Sequence, residues 1–244
     1  MLVAAALIPD TAVLVAGVTG AAVSVHSLLD PTLEAITQVM ALEPDVVVIV
    51  APGLSDRVLG GTVSTSLAAA GVPDDRVLWP TRTLTLDDDS AGRDQPSVAS
   101  AVALHLVSRA GRHRGLRVVE VTSAPGATAL AALGRSLAEE RRTVLVVVGS
   151  GSGRHGPDAP LADDERAPAY DAALLADLAD AEPDARARLA SSDPGLAAEL
   201  AVRGWAPWQV LLGAAGDLEV EARLLADEVV LGAQHAVLVW TVPA

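Results

Sequence analysis

The sequence predicts an α/β protein, a single domain whose central, largely parallel or mixed β-sheet is flanked by helices. Three observations lead there. Short apolar runs rich in β-branched residues, over 2–8, 45–50 and 144–148, each end at proline or glycine. Runs of that kind, without polar alternation, read as strands covered on both faces. Helical stretches separate them at the spacing of βαβ units, which sets strands parallel with their carboxyl ends on one edge. Finally, 244 residues with 51% apolar content suffice for one large core, so residues 1–244 are read as one α/β domain without a second.

Composition narrows the function. Aromatics make up only 2%, with no Phe and one Tyr, so the core must be built from Ala, Val and Leu. A formal charge of −14, from 31 acidic against 17 basic residues, gives a field that repels nucleic acid and anionic membranes, and neither is an expected partner. The absence of cysteine excludes disulfides, thiolate metal sites and thiol nucleophiles, and is compatible with a cytoplasmic location. The apolar N-terminal run has no basic flank and breaks at Pro9-Asp10, so neither a signal peptide nor a membrane span is expected.

The elements follow in order. Residues 2–8 form the first strand, ended by Pro9 and Asp10. The next stretch shows no clear period, and His26 within it has no local partner, so it is read as a satisfied or solvated side chain. Asp30 and Pro31 supply an N-cap and a first-turn proline for a helix with apolar positions at Leu33, Ile36, Met40 and Leu42. The second strand, 45–50, leads to Ala51-Pro52-Gly53, which puts Asp10 and Gly53 side by side on one rim. Gly60-Gly61 lacks the lysine of a phosphate-binding P-loop. A short helix is expected over 66–70 and a short strand over 76–79. Asp87-Asp88-Asp89 is read as a solvated turn, because successive side chains splay apart rather than converge on a metal. A helix over 97–110 carries His105, Arg112-His113-Arg114 forms a basic loop, and 116–121 is a strand near the sheet edge. An Ala-rich helix over 126–141 returns the chain to the central strand. Helices are expected within 160–180, carrying Tyr170 and Asp171, and over 184–190 and 194–202, the last two joined by Ser191-Ser192-Asp193. The segment 205–215, with Trp205, Trp208 and Gln209, is a helix packed under the sheet. Residues 219–231 are mixed in pattern, and 236–242 form a last strand.

Chemistry concentrates after the strand at 144–148. There Gly149-Ser150-Gly151-Ser152-Gly153 runs into Arg154-His155-Gly156-Pro157, at the sheet end where α/β proteins bind ligands. Gly151 to Gly156 formally matches G-x-G-x-x-G, yet Pro157-Asp158-Ala159-Pro160 cannot open the helix that a dinucleotide site needs. Ser150 and Ser152 lie too close along the loop to His155 for a hydrolase triad, and the helix of a nucleophile elbow is missing.

The order of parts resembles a known family. A first strand ending in Pro, a second ending in Ala-Pro, the loop Gly-Ser-Gly-Ser-Gly-Arg-His-Gly-Pro-Asp-Ala-Pro from Gly149, and Gly-Trp-Ala-Pro-Trp-Gln-Val-Leu-Leu-Gly-Ala-Ala from Gly204 are together similar to the LigB-like proteins. These are relatives of the B subunit of class III extradiol ring-cleavage dioxygenases, and the likeness is greatest to their short, Ala-rich actinobacterial branch. The resemblance implies an α/β fold and, in active members, a non-haem Fe(II) held by two histidines and a glutamate, with another histidine as acid/base. Such a set leaves open coordination positions for a catecholate and oxygen.

Set against that pattern, Asp10 stands where the first histidine ligand belongs and Gly53 where the second belongs, while no glutamate can be matched. His155 matches the acid/base histidine, and Asp10, Pro52, Gly53, Ser150, Ser152 and Arg154 are expected around the pocket. The first expectation is therefore a pseudoenzyme that has lost its iron site and binds a small molecule, aromatic ones among the candidates, without a cofactor. A second is a divergent enzyme in which Asp10 and His155, with Asp56 as a further carboxylate, hold Fe(II) or another divalent metal. The third is a structural or interaction protein, acting either as a homodimer or as a partner of another subunit.

Overall fold

A computed structural model of the protein describes residues 1–18, 26–87, 93–111, 115–139, 141–159 and 161–243. The readings made of Asp88 and Asp89, of Arg112-His113-Arg114 and of the His26 side chain lie outside what is described. In chain order come β1 (Leu2–Ile8), α1 (His26–Met40), β2 (Val46–Pro52), β3 (Arg57–Leu59), β4 (Thr62–Ser64), β5 (Thr83–Thr85), β6 (Arg93–Asp94) and α2 (Val98–Ala110). Then follow β7 (Leu116–Val121), α3 (Gly126–Leu137), β8 (Thr143–Val148), α4 (Ala167–Asp180), α5 (Pro183–Ala190), α6 (Pro194–Glu199), α7 (Trp205–Ala215), β9 (Glu221–Val230) and β10 (Ala233–Thr241).

The fold is α/β with a mixed seven-stranded sheet in the order β3-β7-β2-β8-β1-β10-β9, and a small sheet β5-β4-β6 beside it. β7, β2, β8 and β1 are parallel, as continuous β-branched runs dictate for strands buried on both faces. Their side chains divide by pleat. Ala6, Ile8, Val47, Ile49, Val144 and Val146 meet α1 and α2 on one face, while Ala5, Leu7, Val48, Val50, Leu145 and Val147 meet the layer containing α3, α4 and α7 on the other. The hairpin β9–β10 closes one edge by antiparallel pairing to β1. None of the described helices is long and apolar enough to cross a membrane.

Four elements differ from the sequence reading. α1 starts at His26, upstream of the expected Asp30 cap, with Pro31 inside the helix. Leu28 is fully buried and its carbonyl takes the Thr32 hydroxyl at 2.7 Å, so core packing outweighs the hydrogen bond that proline removes. Residues 66–70 hold only a 3-10 turn, Ala68–Ala70. Residues 76–79 are not a strand, because Leu78 makes a single backbone bond to Ala16 instead of joining a ladder. Residues 219–231 contain the edge strand β9, whose pattern is blurred because most of its side chains are exposed or half-buried. α7 is buried along its whole length, with the Gln209 amide donating to the Leu189 carbonyl at 2.9 Å, so its tryptophans serve the core.

Candidate functional site

Because four parallel strands end on the same edge, the residues after Val121, Pro52, Val148 and Ile8 share one rim. β10 runs the other way and begins at that rim. An open cleft of about 690 Å³ lies there, lined by Asp10, Ser150, Arg203 and His235 among apolar side chains such as Val202 and Leu231. A depression of about 210 Å³ adjoins it around Pro52, Gly53 and Thr122, and shares Val202 and Arg203 as a wall.

The glycine loop after β8 is stitched to its surroundings. Gly149 donates its N–H to Ile8, Gly151 to Gln234, Gly153 to Leu200 and His155 to Gly232, all to backbone carbonyls within 3.1 Å. Ser152 N–H and Oγ–H both go to the Asp171 carboxylate, at 3.0 and 2.5 Å. With these donors committed to protein acceptors, the loop is no phosphate cradle and offers no oxyanion hole from them. Glycine is required at 149 because a Cβ would overlap the Gly204 backbone, and at 204 because a Cβ would enter the Trp208 ring. The 149 and 204 segments are therefore in close contact, and the Gly204 N–H donates to the Ser150 carbonyl at 2.9 Å.

Asp10 is the hub of the cleft. Its Oδ1 accepts the Ser150 hydroxyl at 2.6 Å, and its Oδ2 accepts Nε–H of Arg203 in an ion pair. Ser150 Oγ lies 2.8 Å from His235 Nδ1. A carboxylate only accepts, so the one hydroxyl hydrogen belongs to the Asp10 bond, and His235 must carry its proton on Nδ1 and donate it to Ser150. The lone pair of the imidazole is then on Nε2. Burial holds the His235 pKa below its ordinary 6.5, against opposing pulls from Asp10 and Glu228, so the ring is neutral near pH 7.

This has a thermodynamic consequence. Once unfolded, His235 takes up a proton below about pH 6.5, whereas in the fold it resists protonation, so the unfolded state binds more protons and stability falls as pH drops. His105, buried on α2 and also held below 6.5 chiefly by burial, acts in the same direction. The melting temperature is expected to fall between about pH 7.5 and about pH 5.5, and His235→Asn, which keeps a donor near Nδ1, is expected to flatten that slope in part. An unchanged slope in the variant would remove His235 from the account.

The expected site residues fall into three groups. Asp10 and Ser150 meet in the cleft, while Pro52 and Gly53 line the adjoining depression. Asp10 and Gly53 are not immediate neighbours, because β8 lies between β1 and β2 and separates their ends by about 10 Å, two strand spacings. Ser152 and His155 belong to a different cluster, in which His155 Nε2 donates to Asp171 at 2.6 Å. His155 is not among the residues lining the cleft, so Asp10 is paired with Ser150 and Arg203 instead. Arg154 donates from Nη1 to the Ala162 carbonyl at 2.8 Å. Asp56 accepts the Thr122 N–H at 2.7 Å and its hydroxyl at 3.1 Å.

These residues do not fit a two-histidine, one-carboxylate iron site. Asp10 is already neutralised by Arg203, Gly53 has no side chain, and a Cβ there would sit 2.7 Å from Glu120 Cβ. Glu120 itself is held by Ser97 N–H at 2.6 Å, Ser100 Oγ at 2.8 Å and Arg57 Nε at 2.8 Å, so it cannot easily give way. Among the described residues no three His, Asp or Glu converge on a metal-sized position. Sequence reasoning missed His235 and Arg203. A lone imidazole at the start of the largely apolar strand Ala233–Thr241 was the available signal for the first, and nothing local marked the second.

Fold and site together define an α/β protein with a cleft at the carboxyl rim of its parallel strands. No family model and no curated protein matches the chain. Among solved structures it is similar to the crystal structure of an uncharacterized protein, JW3007, from Escherichia coli K12, with a TM-score of 0.54 and 17% identity over 98% of this chain and 99% of that one. A likeness at that identity establishes the α/β fold.

Proposed function

We propose that the protein is a LigB-like pseudoenzyme, a member of the extradiol dioxygenase class by descent that keeps the ligand cleft and has exchanged its iron site for an ion pair. The observation that carries this is Arg203 closed on Asp10, the position where the resemblance places a histidine ligand. A guanidinium there neutralises Asp10 and leaves neither of its carboxylate oxygens without a partner. Gly53, fenced by Glu120, supports the same reading at the second ligand position. The cleft volume of about 690 Å³ is in the usual range for small-molecule sites, and its mainly apolar lining suits a compact organic ligand. A chain without cysteine also suits a reducing, cytoplasmic location.

The protein is expected to purify without stoichiometric iron after growth in iron-supplemented medium, and to show no oxygen uptake with protocatechuate or other catechols. Metal analysis and an oxygen electrode check both. Stoichiometric, tightly held Fe(II) together with ring cleavage would overturn the proposal.

A further inference from the structure

Resting on the reading of the cleft as a ligand site, we infer that its occupant is a small hydroxy-carboxylate with an apolar body, its carboxylate on Arg203 and its hydroxyl on His235. Arg203 gives only Nε to Asp10 among the described residues, and its side chain is 57% exposed while lining the cleft. Its two terminal NH2 groups therefore remain as planar donors, the geometry that suits a carboxylate.

The polar chain next to it fixes what else is read. Asp10 orients Ser150, Ser150 orients His235, and the imidazole consequently offers Nε2 as an acceptor and nothing as a donor. A ligand hydroxyl satisfies that lone pair, whereas a second carboxylate would meet it with repulsion. Ser150 and His235 are each under 5% exposed, so the packing around them fixes the orientation of the acceptor. Apolar walls from Val13, Leu161, Val202, Val230 and Leu231 take the remainder of the ligand. The Asp10–Arg203 pair is neutral as a whole, so an incoming carboxylate meets the terminal NH2 donors of the guanidinium without an unpaired carboxylate opposing it.

The test uses mandelate, phenylacetate and mandelamide with the full-length chain, read by thermal shift and by calorimetry. Mandelate is expected to bind at least about tenfold more tightly than mandelamide, the difference that one charge-assisted bond supplies, and more tightly than phenylacetate, which lacks the hydroxyl. Arg203→Gln should abolish the preference for acid over amide. His235→Asn, whose amide NH2 stands near the Nδ1 position but which has no counterpart of Nε2, should abolish the preference for mandelate over phenylacetate and keep that of acid over amide. Equal binding of acid and amide by the parent protein overturns the carboxylate assignment and leaves a ligand cleft standing. Binding of none of the three overturns both the assignment and the cleft as their site, and stoichiometric iron with ring cleavage overturns the pseudoenzyme reading alone.

Discussion

Replacing Asp171 by alanine is expected to destabilise the protein by about 3–5 kcal/mol, the range for removing one partner of a buried charged network. The carboxylate on α4 is 1% exposed and is the acceptor for Ser152 N–H, Ser152 Oγ–H and His155 Nε2–H. Without it, the hydroxyl and the backbone amide of the fully buried Ser152 both lose their partner, each at about 1–3 kcal/mol. Gly151 packs so that a Cβ there would lie 2.6 Å from Asp171 Oδ1, so the truncation also opens a gap beneath the loop. Urea unfolding with an unchanged slope and a lowered midpoint is the measurement. Asp171→Asn keeps one acceptor oxygen and should lose less. A loss within about 0.5 kcal/mol for the alanine variant, the size of an ordinary surface change, would show that the loop is held by its backbone bonds alone.

The second large effect is expected at Glu120, where alanine should cost about 3 kcal/mol. This buried carboxylate at the end of β7 joins three elements, taking Ser97 N–H and Ser100 Oγ–H from the start of α2 and the guanidinium of Arg57 on β3. Burial pushes its pKa up, but the bonds from Ser97, Ser100 and Arg57 together outweigh burial and leave it below its ordinary 4.5. That stability is present above pH 4.5 and is lost as pH falls through the lower folded value, so the variant should unfold with a flatter acid limb than the parent. An acid limb identical in the two proteins would exclude Glu120 as its source. Because Glu120 also fills the space against Gly53, the same variant should enlarge the depression around Pro52 and Gly53.

Much of the scaffold was legible from residue pattern. The runs that became β1, β2 and β8 are short, uninterrupted and β-branched, and burial on both faces of a sheet leaves them no alternative composition. Ser97 was legible as the boundary of α2, and its side chain does accept the Ser100 N–H. β9 was not legible, since an exposed edge strand has no buried face to impose a period.

The site divides in the same way. Asp10 and Ser150 follow strand ends, so their place at the rim can be read from the chain. Their partners cannot, because the sheet order decides them. β10 returns antiparallel beside β1 and brings His235 to Ser150, while the turn between α6 and α7 brings Arg203 to Asp10 across 193 positions of sequence. His155, three residues beyond Ser152, is turned to Asp171 by a helix that the loop itself does not specify.

By itself the sequence determined the α/β class, the parallel rim and the residues Asp10, Gly53 and Ser150 that follow its strands, because local composition and strand period suffice for those. Only the tertiary structure decided which charges meet there. Pairing over long separations depends on strand order and helix packing, and the electrostatics of a cleft exist only once those are fixed.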